Sequence, residues 1–182
     1  MAANLAGRAI DGVFTSPLGR ATATAEVYGS ELGVAVTVID QLAEVHQGDM
    51  AGLTAAEIDR TYPGELARRS TDRYAWRFPG GESYADANRR AAVALQEIIR
   101  HRASRPLIVS HEMIGRMLLR NLVDIDAEIA LGWNHPHDIA YEVRIAERTI
   151  VASRARDENA DPDAGRRNVL WSTVVSDVER DS

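Results

Sequence analysis

The sequence predicts an α/β domain built on a largely parallel sheet. Two observations carry this. Short β-branched runs alternate along the chain with longer segments whose apolar residues recur at helical spacing. Near the end a pair of β-rich runs, "IAYEVRI" and "RTIVASR", stands close enough to form a hairpin, which adds an antiparallel element.

The first strand is "DGVFT" at 11–15, ending at Ser16 and Pro17, where proline can open a helix because its missing N–H would be unpaired anyway. The helix continues through "RATATAEVYGSEL" and stops at Gly33. "VAVTVI" at 34–39 is the second strand. From 42 to 79 the chain is mixed and loop-rich, with one short helix expected at 54–60, where Thr54 and Glu57 make a capping-box pair. Pro79, Gly80 and Gly81 form a turn, and Ser83 caps the longest periodic segment, "YADANRRAAVALQEIIRHRAS". A strand at 106–109 follows, then a helix near 113–122, a shorter one near 127–133, and the hairpin. One domain is expected over 1–155, with a polar linker and C-terminal tail over 156–182, in which "NVLWSTVVS" is apolar enough to dock.

At 182 residues, 45% of them apolar, the chain is long enough for one sizeable core and short for two. It has no apolar run of the ~20 residues that a membrane helix needs, and no signal-peptide pattern at its start, so no membrane partner and a cytoplasmic location are expected. The absence of cysteine excludes disulfides, thiolate nucleophiles and Cys-based zinc sites. A formal net charge of −6 offers no overall basic field for nucleic acid. An anionic ligand must therefore be held by local cations.

Such cations stand at two strand ends. In "IVSHEMIGR", at 108–116, a strand ends on Ser110 and His111 and turns helical at once. Ligands of open α/β sheets gather beyond the carboxyl ends of strands, and the free N–H groups of a first helical turn favour an anion there. By position alone His111 either joins such a site or caps the helix. The stretch "SPLGRATATAE", at 16–26, places Arg20 about one turn into another helix that begins where a strand ends. An isolated helix arginine would be a solvated surface residue. Two cations at two strand ends instead point to one place.

Four stretches, "SPLGRATATAE", "LAEVHQGDMAGLT", "PGGES" and "IVSH", in this order and at these separations, resemble the histidine phosphatase superfamily, also called phosphoglycerate mutase-like. The resemblance covers most of 11–145. It implies a three-layer α/β/α fold and cofactor-free, metal-independent hydrolysis or transfer of phosphomonoesters through a phosphohistidine. The implied partner is a small phosphorylated substrate or phosphate. Residue by residue, it implies that Arg20 binds phosphate, that His111 is the second histidine, which holds the phosphoryl group, and that Glu44 protonates the leaving oxygen. Glu112 stands where most relatives have glycine. It matches the acidic donor of the acid-phosphatase and phytase branch, and so is an alternative acid, or it is a surface glutamate favoured by the helix dipole. The segment 62–78 corresponds to the one that sets specificity. Its Arg68, Arg69, Arg73 and Arg77 are substrate contacts or solvated charges, solvated being the simpler reading. His135, His137 and Asp138 in "NHPHD" lack a third close ligand, and are expected to form a turn rather than a metal site.

One family element has no counterpart, the nucleophilic histidine of an Arg-His-Gly motif at the end of the first strand. Among His46, His101, His111, His135 and His137, none both follows arginine and precedes glycine. The opening "MAANLAGRAIDGVFTSPL" resembles the end of the family's first helix. The expectation is a fold incomplete at its N-terminus, with a gap, an exposed edge or a substitute strand in the sheet. The chain is then a truncated form of an enzyme, or a pseudophosphatase serving as a phosphate-ligand binding or protein-interaction module. Missing core structure would favour association into a homo-oligomer.

Overall fold

The structure, a computed structural model, describes Leu5, residues 7–133 and residues 139–154. Its elements are β1 (Gly12–Thr15), α1 (Gly19–Leu32), β2 (Val36–Val38), α2 (Ala55–Thr61), α3 (Glu65–Thr71), α4 (Tyr84–Arg100), β3 (Pro106–Val109), α5 (Glu112–Val123), α6 (Ala127–Gly132), β4 (Ile139–Arg144) and β5 (Thr149–Arg154). β1 is the middle strand of a parallel sheet ordered β2-β1-β3. Val13 lies opposite Val36 and Leu107, and Thr15 opposite Val38 and Val109.

Alternation along the strands sorts the apolar side chains into two layers. Val13, Val36, Leu107 and Val109 pack with Ala25 and Tyr28 of α1. Phe14 and Ile108 face the other way, into a larger core with Ala87, Ala91, Ala94 and Ile98 of α4 and Ile114, Met117 and Leu118 of α5. Helices thus cover both faces of the sheet. Ala87, Ala91 and Ala94 are fully buried, and their 4-then-3 spacing lines one face of α4 with methyl groups only. That lets α4 and α5 approach closely.

The local signals act as their chemistry requires. Gly33 ends α1 in the left-handed region at φ 67° and returns its N–H to Gly29 O. Ser83 and Thr54 each close a capping box, with Asp86 and Glu57 respectively. Thr54→Ala removes one such box, and should lower stability by about 1 kcal/mol, read as an earlier urea midpoint at unchanged slope.

The structure departs from the sequence expectation in two places. Helix α3 forms where a loop is expected. Its Glu65 accepts hydrogen bonds from Arg68 Nη1 (2.6 Å) and from Trp76 Nε1 (3.0 Å), so a tertiary contact helps to fix it. The hairpin of β4 and β5 pairs from Ile139 with Arg154 to Arg144 with Thr149, but it is a separate two-stranded sheet rather than an extension of the parallel one. Among the described residues the outer edges of β2 and β3 have no strand partner. Tyr141, Val143 and Ile150 of the hairpin nevertheless pack on the same core as Ile108. Arg8, whose carbonyl accepts from Arg105 Nη1, forms an ion pair with Glu142 of β4. No described helix is long and apolar enough to cross a membrane. The "NHPHD" turn and the 156–182 tail lie outside the described residues.

Candidate functional site

The ends of β1 and β3 are joined by a hydrogen bond from Ser16 N–H to Val109 O (3.0 Å), which brings the start of α1 beside the start of α5. Ser16 is wholly buried, and its Oγ accepts the Leu18 N–H (3.2 Å), fixing the turn into α1. From the first turn of α1, Arg20 Nε donates to His111 Nδ1 at 3.1 Å. On the far side of the ring, His111 Nε2 lies 2.7 Å from Ser16 Oγ. A guanidinium can only donate, so Nδ1 carries the lone pair and the ring proton sits on Nε2, directed at Ser16. The imidazole is therefore neutral in this arrangement. Burial, and after it the positive charge of Arg20, lower its pKa below the usual histidine value, while Glu44 acts in the opposite direction.

His111 occupies the N-cap position of α5, yet its ring makes no cap hydrogen bond. The first turn of α5 is met instead by Glu44. Its Oε2 accepts the Met113 N–H (3.1 Å), and its Oε1 accepts both the Ile114 N–H (3.0 Å) and the neighbouring Val45 N–H (2.8 Å). A carboxylate of the chain thus holds the helix-terminal position that the sequence reading left for phosphate. Nothing local in "LAEVHQGD" announces this, because the donors lie about seventy residues away.

Beside this cluster opens a cleft of about 840 Å³ whose walls include Arg20, Glu44, His46, Glu82 and Arg90. Two loops that contribute Gln47, Gly80 and Gly81 to its walls cross closely. Gly48, at φ 54°, lies so near the Pro79 carbonyl that a Cβ there would stand 1.9 Å from its oxygen, so only glycine fits.

Glu112 turns to Arg116, whose Nη2 donates to its Oε1 at 2.6 Å, so the negative charge next to His111 is locally offset. The arginines of the variable segment divide into two pairs. Arg68 and Arg77 are exposed and pair with Glu65 and Asp86, as solvated charges do. Arg69 and Arg73 correct that reading for themselves: they stack over the rings of Phe78 (5.9 Å) and Tyr84 (5.8 Å), and Arg73 Nη1 also donates to Leu131 O (3.2 Å). The Nε atoms of Arg69, Arg73 and Arg116 and the hydroxyl of Tyr84 are buried without a hydrogen-bond partner among the described residues. Ser16, Tyr84 and Arg116 were not singled out from the sequence. Ser16 could have been, since a buried polar residue between a strand and a Pro-opened helix needs a partner. Among the described residues no group of three acidic or histidine side chains is placed to hold a metal.

By its architecture the molecule is a phosphoglycerate mutase-like α/β domain. The chain belongs to the histidine phosphatase superfamily (branch 1), whose family profile matches residues 1–158. Chicken 6-phosphofructo-2-kinase/fructose-2,6-bisphosphatase is 34% identical over 116 residues, which are 64% of this chain and 23% of that protein. A human counterpart, 6-phosphofructo-2-kinase/fructose-2,6-bisphosphatase 3, is 38% identical over 87 residues, 48% of this chain and 16% of that one. The chain therefore spans about a quarter or less of the length of these curated relatives. Among solved structures, the alpha-ribazole phosphatase of Shigella flexneri superposes with a TM-score of 0.68 at 20% identity, over 84% of this chain and 78% of that one. A mycobacterial glucosyl-3-phosphoglycerate phosphatase, solved with inorganic phosphate, gives 0.66 at 25% identity over 84% and 79%.

Proposed function

We propose that this chain is a phosphate-ester binding domain that does not turn over its ligand as it stands. The observation that carries the reading is the Arg20–His111–Ser16 cluster at two adjoining strand ends, where a guanidinium and an imidazole can be drawn onto the oxygens of one phosphoryl group. Cations and hydroxyls of this kind bind a phosphoryl group and stabilise charge on it, but they form no bond to phosphorus. None of the five histidines stands in the Arg-His-Gly motif that would supply a nucleophile for that bond. Arg20→Ala should weaken sulfate or phosphate binding, measured by calorimetry, by about tenfold, the worth of one charge-assisted hydrogen bond. Unchanged affinity in that variant would remove the assignment.

For the ligand, the cleft beside the cluster, walled in part by Arg20, His46 and Gln47, supports a small phosphorylated molecule with a second polar end. The sugar bisphosphate in the name of the vertebrate relatives is of that class. A second reading is favoured by the open edge of β3: a longer polypeptide supplying a further strand and an Arg-His-Gly loop there would make the same residues, with Glu44 or Glu112 as acid, an enzyme's. The mass of the protein isolated from its own cells separates the two.

A further inference from the structure

The side chain of Arg90, in the middle of α4, has less than a quarter of its surface exposed and makes five hydrogen bonds. On one side it grips Glu82, with Nε to Oε2 at 3.3 Å and Nη2 to Oε1 at 2.6 Å. On the other it donates to three carbonyls of one loop, Gln41 O (2.6 Å), Ala43 O (2.7 Å) and Glu44 O (3.4 Å). Glu82 Oε1 accepts in addition the His46 N–H (2.9 Å). Backbone groups of residues 41–46 thus converge on a single ion pair. The loop they form carries Glu44, and Glu44 in turn holds the first turn of α5, which follows His111 directly.

We infer that Arg90 is a positioning residue of the phosphate site, setting where the Glu44 carboxylate sits and, through it, the charge environment and placement of His111. This rests on the reading of Arg20 and His111 as the anion site, but on no property of a bound ligand. A guanidinium suits the task because its donors fan out in one plane, so a carboxylate and several carbonyls can be served at once; lysine, with one donor centre, cannot reproduce that. The charged groups acting on His111 are Arg20 from α1 and Glu44 from the loop, with Glu112 next in sequence and itself tied to Arg116. Moving Glu44 away removes its raising effect on the pKa of the ring.

The test is the His111 titration, followed by ring carbon and proton NMR without ligand and assigned by the signal lost in His111→Gln. Glu44→Gln should shift the midpoint down. Arg90→Gln should shift it in the same direction with α5 still folded, Arg90→Lys should restore it only in part, and the double variant should add nothing to Glu44→Gln alone. A folded Arg90→Gln with an unmoved midpoint, or an additive double variant, overturns the inference. Should Arg90→Gln not fold, Glu82→Gln and Arg90→Lys loosen the same anchor, and unmoved midpoints in both overturn it equally. Failure of sulfate to bind the wild type while these shifts occur would count against the anion site and not against Arg90.

Discussion

p-Nitrophenyl phosphate incubated with this chain should release nitrophenolate at the background rate, and phosphoglycerates should be left intact. In-line attack on phosphorus needs a group with a free lone pair aimed at it. In the free site His111 does not present one, since its Nδ1 lone pair receives Arg20 and its Nε2 proton faces Ser16, and a bound anion that draws Arg20 away favours a proton on the Nδ1 it releases. Both oxygens of Glu44 accept backbone N–H groups of α5. What remains is binding and charge stabilisation. In a serine protease, loss of the nucleophile alone costs about a million-fold in turnover, and a deficit of that order is expected here relative to intact phosphatases of the family. The measurement is initial rate against substrate concentration on protein whose mass matches the 182-residue chain. Turnover that vanishes in His111→Ala would make His111 a nucleophile and overturn the reading.

The parts of this site that could be read in the sequence are those set by neighbours a few residues apart. Arg20 and His111 were recognisable because each follows a β-branched run and opens a helix, and strand ends in a parallel sheet lie side by side. The boxes at Thr54 and Ser83 are four-residue patterns and needed no tertiary information. Helix α3 was not legible, because "ELARRST" has no apolar stripe of its own, and Trp76 reaches back to hold its first turn. Without α3 there was no face on which to sort Arg69 from Arg68, so one partly buried arginine and one solvated arginine looked alike. The engagement of Glu44 with α5 and the convergence of the 41–46 loop on Arg90 join segments tens of residues apart. No spacing rule encodes them. The separation of the hairpin from the parallel sheet is of the same kind, since alternation marks a strand but not its partner.

Sulfate, a dianion throughout the range from about pH 5 to 8, should bind more tightly as the pH falls. In the free protein Arg20 donates to a neutral His111, and burial together with Arg20 keeps the imidazole pKa below its ordinary value. An anion that draws Arg20 onto its own oxygens releases Nδ1, and places a negative charge beside a ring that gains from taking a proton. Binding is then linked to proton uptake. Above the free-state pKa the charged fraction of His111 drops about tenfold per pH unit, and the apparent affinity follows it, so two units should weaken sulfate by up to about a hundredfold. Proton uptake on binding should appear in calorimetry as a heat that depends on the ionisation enthalpy of the buffer. His111→Gln keeps hydrogen bonding without the titration, and should flatten the profile. The same shift affects stability with a definite sign: the folded-state pKa is the lower one, so the contribution of His111 is present above the ordinary histidine pKa and is lost as the pH falls through the folded value. Low pH therefore weakens the empty fold while strengthening its hold on sulfate, so the increase in thermal midpoint produced by a fixed sulfate concentration should be larger at about pH 5.5 than at about pH 7.5. An increase that is the same at both, with affinity flat across the range, would mean that Arg20 alone takes the anion and His111 stays neutral.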